Sequence, residues 1–274
     1  MTGLLRRPVF AIGLAITLAL VAVALVSLVW TPSLPSKINI LQRLKPPLGA
    51  GGLLGTDQFG RDMASMLMAG AWNSLSTSFL AVAIGASAGS AVGVVLAMQR
   101  GWLELVVMRF CDIIFAVPPI LSAMMLGAFI GSGRFTAIIA IAVFMVPVFA
   151  RLTLAAAKQI WARDYVTAAI GIGRSRARIT LVHILPNISN QIIVQVTIQL
   201  GLAILTEAGL SYLGLGMPPP APTWGRMLAD SQTFFSQAPW LAIMPGLAIA
   251  LAVLGLNMLG DGLRDLLDPR TKSN

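Results

Sequence analysis

Asn187, Gln191, Gln195 and Gln199 recur every four residues along an otherwise apolar stretch. Amides donate and accept hydrogen bonds but break no covalent bonds, so the chemistry on offer is binding or hydration. On a helix the row drifts by about 40° per step, which keeps the four side chains within one face of roughly 120°. Amides are costly against lipid, so that face should meet protein or water. Hydrogen bonding between helices and a hydrated pathway both satisfy that requirement, and a helix lining a pore between two subunits would do both.

Ionisable residues within apolar stretches offer the other options. Asp112 follows Arg109 by three residues, a spacing that permits a pair on one helix face. Structural neutralisation and a functional carboxylate both fit that pair. Glu207 has no basic residue within four positions. Its partner must come from elsewhere, Arg226 or another subunit, and it is a candidate gate residue.

Bond-making chemistry finds no footing. No glycine precedes a lysine, so there is no phosphate-cradling GK[ST] loop. The single histidine, His183, disfavours a hydrolase with a His base, and Gly209-Leu210-Ser211-Tyr212-Leu213 does not form a G-x-S-x-G nucleophile elbow. One cysteine, Cys111, and one histidine exclude a disulfide framework and disfavour a metal cluster. Cys111, inside an apolar run, reads as a small buried side chain.

A different kind of work is suggested by a polar interruption. Tyr165 to Gly173 is rich in small residues and exits on glycine; Arg174, Arg176 and Arg178 follow, then His183, Ile184, Leu185, Pro186 and Asn187. A helix from about Arg163 to Ile172 could be a rigid lever seated in a groove of another protein. Tyr165, Thr167, Ala168, Ala169, Gly173 and Arg174 would form that interface. Ala168 and Ala169 allow close backbone approach, and Gly173 permits the left-handed turn that ends a helix. Composition alone would leave an ordinary basic loop as the reading.

The elements that position these residues are membrane spans. At 57% hydrophobic and 11% charged residues, the 274-residue chain is an all-α membrane protein rather than a soluble domain, in which roughly 25% would be charged. Six stretches reach spanning length, near residues 9–30, 75–98, 106–130, 135–156, 188–210 and 241–260. The first is too long for a signal peptide and reads as an anchor. Prolines 118, 119, 147 and 245 should kink their spans.

The net charge of +9 sits in short loops, which argues for membrane topology and against nucleic acid. Arg6 and Arg7 precede the first span, Lys158 to Arg178 follow the fourth, and Arg264, Arg270 and Lys272 close the chain. Both termini are therefore expected on the cytoplasmic side. Lys37, Arg43, Lys45 and Arg61 in the first long loop depart mildly from the rule, which loops of that length obey less strictly. Trp30, Trp72, Trp102, Trp161, Trp224 and Trp240 fall at or near span ends or in adjoining loops, where headgroups would hold them. The run Met217 to Pro222 reads as a stiff polyproline strip, and Trp224 to Phe235 as a short outer helix.

Ordered motifs then carry a family resemblance. Leu54-Gly55-Thr56-Asp57-Gln58-Phe59-Gly60-Arg61-Asp62 is similar to an LGTDxxGRD signature; Glu207 to Gly216, Pro222-Thr223-Trp224-Gly225 and Asn257 to Asp265 follow, then Leu267-Asp268-Pro269-Arg270. Together with the interrupted loop they resemble the C-type permease subunits of dipeptide, oligopeptide and nickel ABC importers. Thr167 stands where the family's "EAA" loop has glutamate.

The resemblance implies a six-transmembrane-helix ABC type I importer permease fold with a cytoplasmic coupling helix, in a bacterial inner membrane. It divides the chain into residues 1–30 (N-terminal residues and first helix), 31–74 (external loop), 75–260 (five-helix core) and 261–274 (tail). Within the core lie a coupling loop at about 157–187 and an external segment at 211–240. Partners would be a second homologous permease, two ATPases that bind ATP and Mg, and an external solute-binding protein; this chain would hold no cofactor and catalyse no reaction. Peptide is the expected cargo, with nickel, glutathione, haem or opine as alternatives within the family. An ion-driven secondary transporter, an exporter and a scaffold are the rival classes. The ion-driven class calls for a midplane carboxylate, for which only Asp112 stands.

Overall fold

The computed structural model describes residues 8–49, 52–99 and 101–267; Arg6, Arg7, Arg270 and Lys272, used above for topology, lie outside them. Ten helices are described: α1 (Pro8–Val26), α2 (Met63–Gln99), α3 (Trp102–Ala116), α4 (Pro119–Ile130), α5 (Arg134–Trp161), α6 (Asp164–Gly171), α7 (Arg176–Ile179), α8 (Leu185–Tyr212), α9 (Trp224–Ser231) and α10 (Trp240–Leu267). By length and composition, α1, α2, α5, α10 and the α7–α8 run can each cross a membrane. A sixth span results if α3 and α4, bent by 90° at their junction, count as one.

That bend falls at Pro118-Pro119. Proline lacks the N–H that would continue the helical ladder, and α4 restarts with Pro119 in its first turn. Pro147 and Pro245, also expected to kink, are buried within continuous helices α5 and α10. The break before α8 is milder: residues Thr180–Ile184 form a π-helical turn, with the Leu185 N–H bonded to the Thr180 carbonyl, directly ahead of Pro186.

α2 starts at Met63, earlier than hydropathy places the span, because the Asp62 carboxylate accepts from the Ser65 N–H at 2.8 Å and the Ser65 hydroxyl at 2.6 Å. This is an N-cap, satisfying donors that the helix itself leaves open. The LGTDxxGRD segment folds on itself upstream. Asp57 accepts from the Phe59 and Arg61 N–H groups and from Arg61 Nε at 2.6 Å. Gly60 has φ +72°, and a Cβ there would lie 1.8 Å from the Asn39 carbonyl, so no other residue fits.

α2 and α5 form the centre of the bundle. Gly85, Gly89 and Gly93 recur every four residues on α2, and a Cβ on each would come within 2.6 Å of α5, at Met145, the Val146 carbonyl and the Ala150 carbonyl. Small residues at this spacing let two backbones approach closely in a membrane. Ala81, Val82, Ile141, Met145, Phe149 and Ala203 pack around the seam, bringing in α8. α1 is seated on α10 in the same way, with Gly13 against the Leu259 backbone and Gly262 against Phe10.

The tryptophans are not all belt residues. Trp30 and Trp102 are exposed at helix ends, but Trp161 is buried and Trp224 is 1% exposed. Trp224 donates from Nε1 to the Leu67 carbonyl at 3.2 Å, anchoring α9 against α2. The stretch from Met217 to Pro222 turns at Pro219-Pro220, whose peptide bond is cis, instead of continuing straight.

Candidate functional site

One end of the bundle carries α6, held between the ends of α5 and α8. Its inward residues, Val166 and Ala169, are buried with Val94, Ala157, Trp161, Ile179 and Ile184. Its outward residues, Tyr165, Thr167, Ala168 and Ile170, are exposed, and so are Ile172, Gly173 and Arg174 beyond it. Ile172 is 75% exposed, unusual for an isoleucine beside a packed core. The helix is thus amphipathic in the sense needed for a lever: one face is fixed to the bundle and the other is open.

Its ends are defined. Asp164 in the first turn complements the helix dipole. At the far end the Arg174 N–H bonds the Ala169 carbonyl at 3.1 Å and the Gly173 N–H bonds the Ile170 carbonyl at 2.9 Å, with Gly173 at φ +78°. This pair of bonds is a Schellman motif, which stops a helix abruptly and needs a left-handed residue at the glycine position. Tyr165 packs edge-on against His183 at 6.0 Å between ring centroids, and Arg176 Nη1 donates to the Met98 carbonyl at 2.7 Å. The α6–α7 segment is therefore tied to the π turn ahead of α8 and, through α7, to the end of α2. Of the six residues expected at its interface, Ala169 faces inward and the other five are exposed.

The amide stripe on α8 runs from open to closed. Asn187 and Gln191 are exposed, Gln195 is half-buried and Gln199 is buried, with its Oε1 lacking a hydrogen-bond partner. Asn187 Nδ2 donates to the His183 carbonyl at 2.6 Å, which ties the end of the π turn to the first turn of α8. The stripe thus enters the bundle from the α6 end and points progressively inward.

At the opposite end, Glu207 is 1% exposed and sits under α9. Its Oε1 accepts from the Ser211 hydroxyl at 2.6 Å, and Oε2 is buried without a partner. Arg226, the partner suggested by sequence, instead pairs with Asp230 at 3.1 Å, four residues along the same helix. An i,i+4 carboxylate competes for Arg226, and Glu207 Oε1 is satisfied by a hydroxyl one turn along its own helix.

Asp112 does meet Arg109, with Nη1–Oδ2 at 3.6 Å, but its nearer partner is Arg151 on α5, which donates from Nη2 to Oδ1. The sequence reading missed Arg151, the one charge inside the fourth hydrophobic run. Cys111, beside Asp112, is buried as expected.

Residues 89–273 match the family described as binding-protein-dependent transport system inner membrane component. Over 262 residues the chain is 40% identical to the dipeptide transport system permease protein DppC of Alkalihalophilus pseudofirmus, covering 96% of this chain and 86% of that one. It is 43% identical over 218 residues to the glutathione transport system permease protein GsiD of Escherichia coli O157:H7, covering 80% and 72%. In three dimensions it resembles a chain of the MetNI methionine ABC transporter in an inward-facing conformation, with a TM-score of 0.64, 20% identity, and coverage of 75% of this chain and 98% of that one. At that identity the likeness speaks for the fold.

Proposed function

The chain belongs to the family of binding-protein-dependent transport system inner membrane components, and on that premise we propose that it is the permease subunit of an ATP-driven peptide importer. The observation that carries the reading is α6: a short helix with one face locked into the bundle and an exposed face ending in a Schellman turn. A transporter that borrows ATP energy from another chain needs such a part. The exposed face of Tyr165, Thr167, Ala168, Ile172 and Arg174 would seat in a groove of an ATPase subunit, and Gly173 would fix where the lever ends.

The remaining parts follow from this assignment. The α6 end faces the cytoplasm, and the ends of α1 and α10 nearest the chain termini lie on that side. The LGTDxxGRD loop and α9 lie outside, available to a solute-binding protein. A second homologous permease completes the pathway, to which Asn187, Gln191 and Gln195 on α8 contribute amides. ATP and Mg bind to two partner ATPases, and this chain catalyses no reaction. ATP-driven closure pulls the coupling helices together and opens the pathway outward; hydrolysis resets it. Glu207 contributes structurally: its carboxylate is enclosed by its own chain and takes the Ser211 hydroxyl on the same helix.

Dipeptide or oligopeptide cargo is supported by 40% identity to a dipeptide permease across nearly the whole chain. Glutathione is the second reading, favoured by 43% identity to a glutathione permease. The test is to purify the tagged chain in mild detergent with whatever accompanies it, and to assay ATP-dependent uptake in vesicles. Recovery of a second permease and two P-loop ATPases, with uptake of peptide, is expected. Recovery of the chain alone, with uptake that follows an ion gradient, would overturn the reading.

A further inference from the structure

Charge lies along the α3–α5 seam where a lipid-facing surface would be apolar. Near the α6 end, Lys158 Nζ meets Glu104 Oε1 at 2.6 Å. Deeper in, the Asp112 carboxylate takes Arg151 from α5 and has Arg109 at 3.6 Å. Asp112 lies eight residues beyond Glu104 on α3, and Arg151 seven before Lys158 on α5, so the second group is about 11 Å further along the bundle. The Arg151 guanidinium also lies 4.6 Å from the centroid of the Phe115 ring.

The deeper cluster is open. Arg109, Asp112 and Arg151 side chains are 75%, 49% and 44% exposed. α5 is the most enclosed of the spanning helices, yet Val143, Arg151, Ala155 and Gln159, at intervals of four or eight, leave one winding stripe uncovered. Ionisable groups at this depth face water or protein, not hydrocarbon. Two guanidinium groups against one carboxylate leave one positive charge. Asp112 and Arg151 hold each other, whereas Arg109, beyond hydrogen-bond distance, keeps its donors free.

We propose that this cluster is a carboxylate-binding step on the inner half of the translocation pathway. The ligand is the α-carboxylate of a peptide, met by Arg109 in the two-pronged geometry that guanidinium offers to carboxylates. The Asp112–Arg151 pair sets the position of the site, and the Asp112 charge keeps it at a single net positive, so that cargo is guided without being trapped. The proposal rests on the reading of the chain as a peptide importer permease, and it adds a contact between this subunit and its cargo.

The experiment uses the whole transporter, with both permeases, ATPases and binding protein, in inside-out vesicles. In a Cys111→Ala background, Ala155→Cys places a thiol one turn from Arg151 on the open stripe. A membrane-impermeant thiol reagent is added with millimolar alanyl-alanine or with its C-terminal amide. The expected result is modification of the cysteine, slowed severalfold by the free acid and not by the amide, with the slowing lost when Arg109→Gln is added. No modification would mean that lipid or the second permease covers the stripe, and equal slowing by acid and amide would mean that no carboxylate is read; either overturns the site. ATP-driven release of peptide loaded with binding protein inside the same vesicles, the direction of import across an inverted membrane, is measured in parallel for the unsubstituted complex. Its absence sinks the importer reading itself, whereas its presence with an unmodified cysteine sinks only this site.

Discussion

The backbone N–H of Arg174 reaches the carbonyl of Ala169 at 3.1 Å, closing the end of α6 over Gly173. Residue 173 must adopt φ +78°, and nothing lies within 4 Å of where a Cβ would stand. The demand on this glycine is therefore conformational and not steric. Any other residue pays roughly 1–2 kcal/mol for the left-handed conformation. Gly173→Val should fray the end of α6, leaving the bundle folded but, if the proposed coupling role holds, lowering peptide uptake per ATP hydrolysed. Hydrolysis and uptake measured on the same vesicles check this, and an unchanged ratio would count against a role for the turn.

The α2–α5 seam predicts a stability loss without a change of chemistry. A Cβ at Gly89 would lie 2.4 Å from the Val146 carbonyl and 2.8 Å from Phe149 Cβ. Backbone has to move, at a cost of about 1–3 kcal/mol. Gly89→Ala should lower the thermal midpoint of the purified complex, whereas Gly133→Ala, where a Cβ would find open space, should not. Equal midpoints for the two variants would contradict the close packing described.

Glu207 and Ser211 make a graded test of the buried hydrogen bond near the end of α8. Glu207→Gln keeps an acceptor for the Ser211 hydroxyl, now at 2.6 Å from Oε1. Glu207→Leu leaves that hydroxyl unsatisfied in a closed site, for about 1–3 kcal/mol. The leucine variant should unfold at lower temperature than the glutamine variant, and neither should alter which peptides are carried. A change of cargo preference in Glu207→Gln, at unchanged stability, would return the residue to the role of a gate.

Trp224 anchors α9 against α2. Its indole is buried and bonded to the Leu67 carbonyl. Trp224→Ala should cost about 3–5 kcal/mol of packing locally, and the readout is hydrogen exchange in residues 224–234. Faster exchange there, with α6 unaffected, is the expected pattern; uniform protection would contradict the anchoring.

Much of this architecture could be read from residue order because its causes are local. The bounds of α6 are legible to within a residue or so because its stop signal, Gly173, and the charge beyond it are adjacent in the chain. The start of α2 is not, since the first turns hold Ser65, Asn73, Ser74 and Ser76, which dilute hydropathy, and the true signal is the Asp62 cap. The glycines at 85, 89 and 93 make a GxxxGxxxG pattern left unused in the sequence analysis, and nothing in the sequence names α5 as the partner. Arg151 pairs with Asp112 across 39 residues, a separation that spacing rules on a single helix do not address. Glu207 has a hydroxyl partner one turn away, which the absence of a nearby basic residue does not reveal.

The proposed ATPase contact of α6 can be tested with two neighbouring cysteines in the assembled transporter. Thr167 is exposed and Val166 is fully buried, one residue apart on the same helix. Thr167→Cys, treated with a short thiol-to-amine cross-linker, should join this chain to an ATPase subunit, and Val166→Cys should not. Cross-linking from neither position, in a complex that still imports peptide with ATP, would contradict the coupling role of α6.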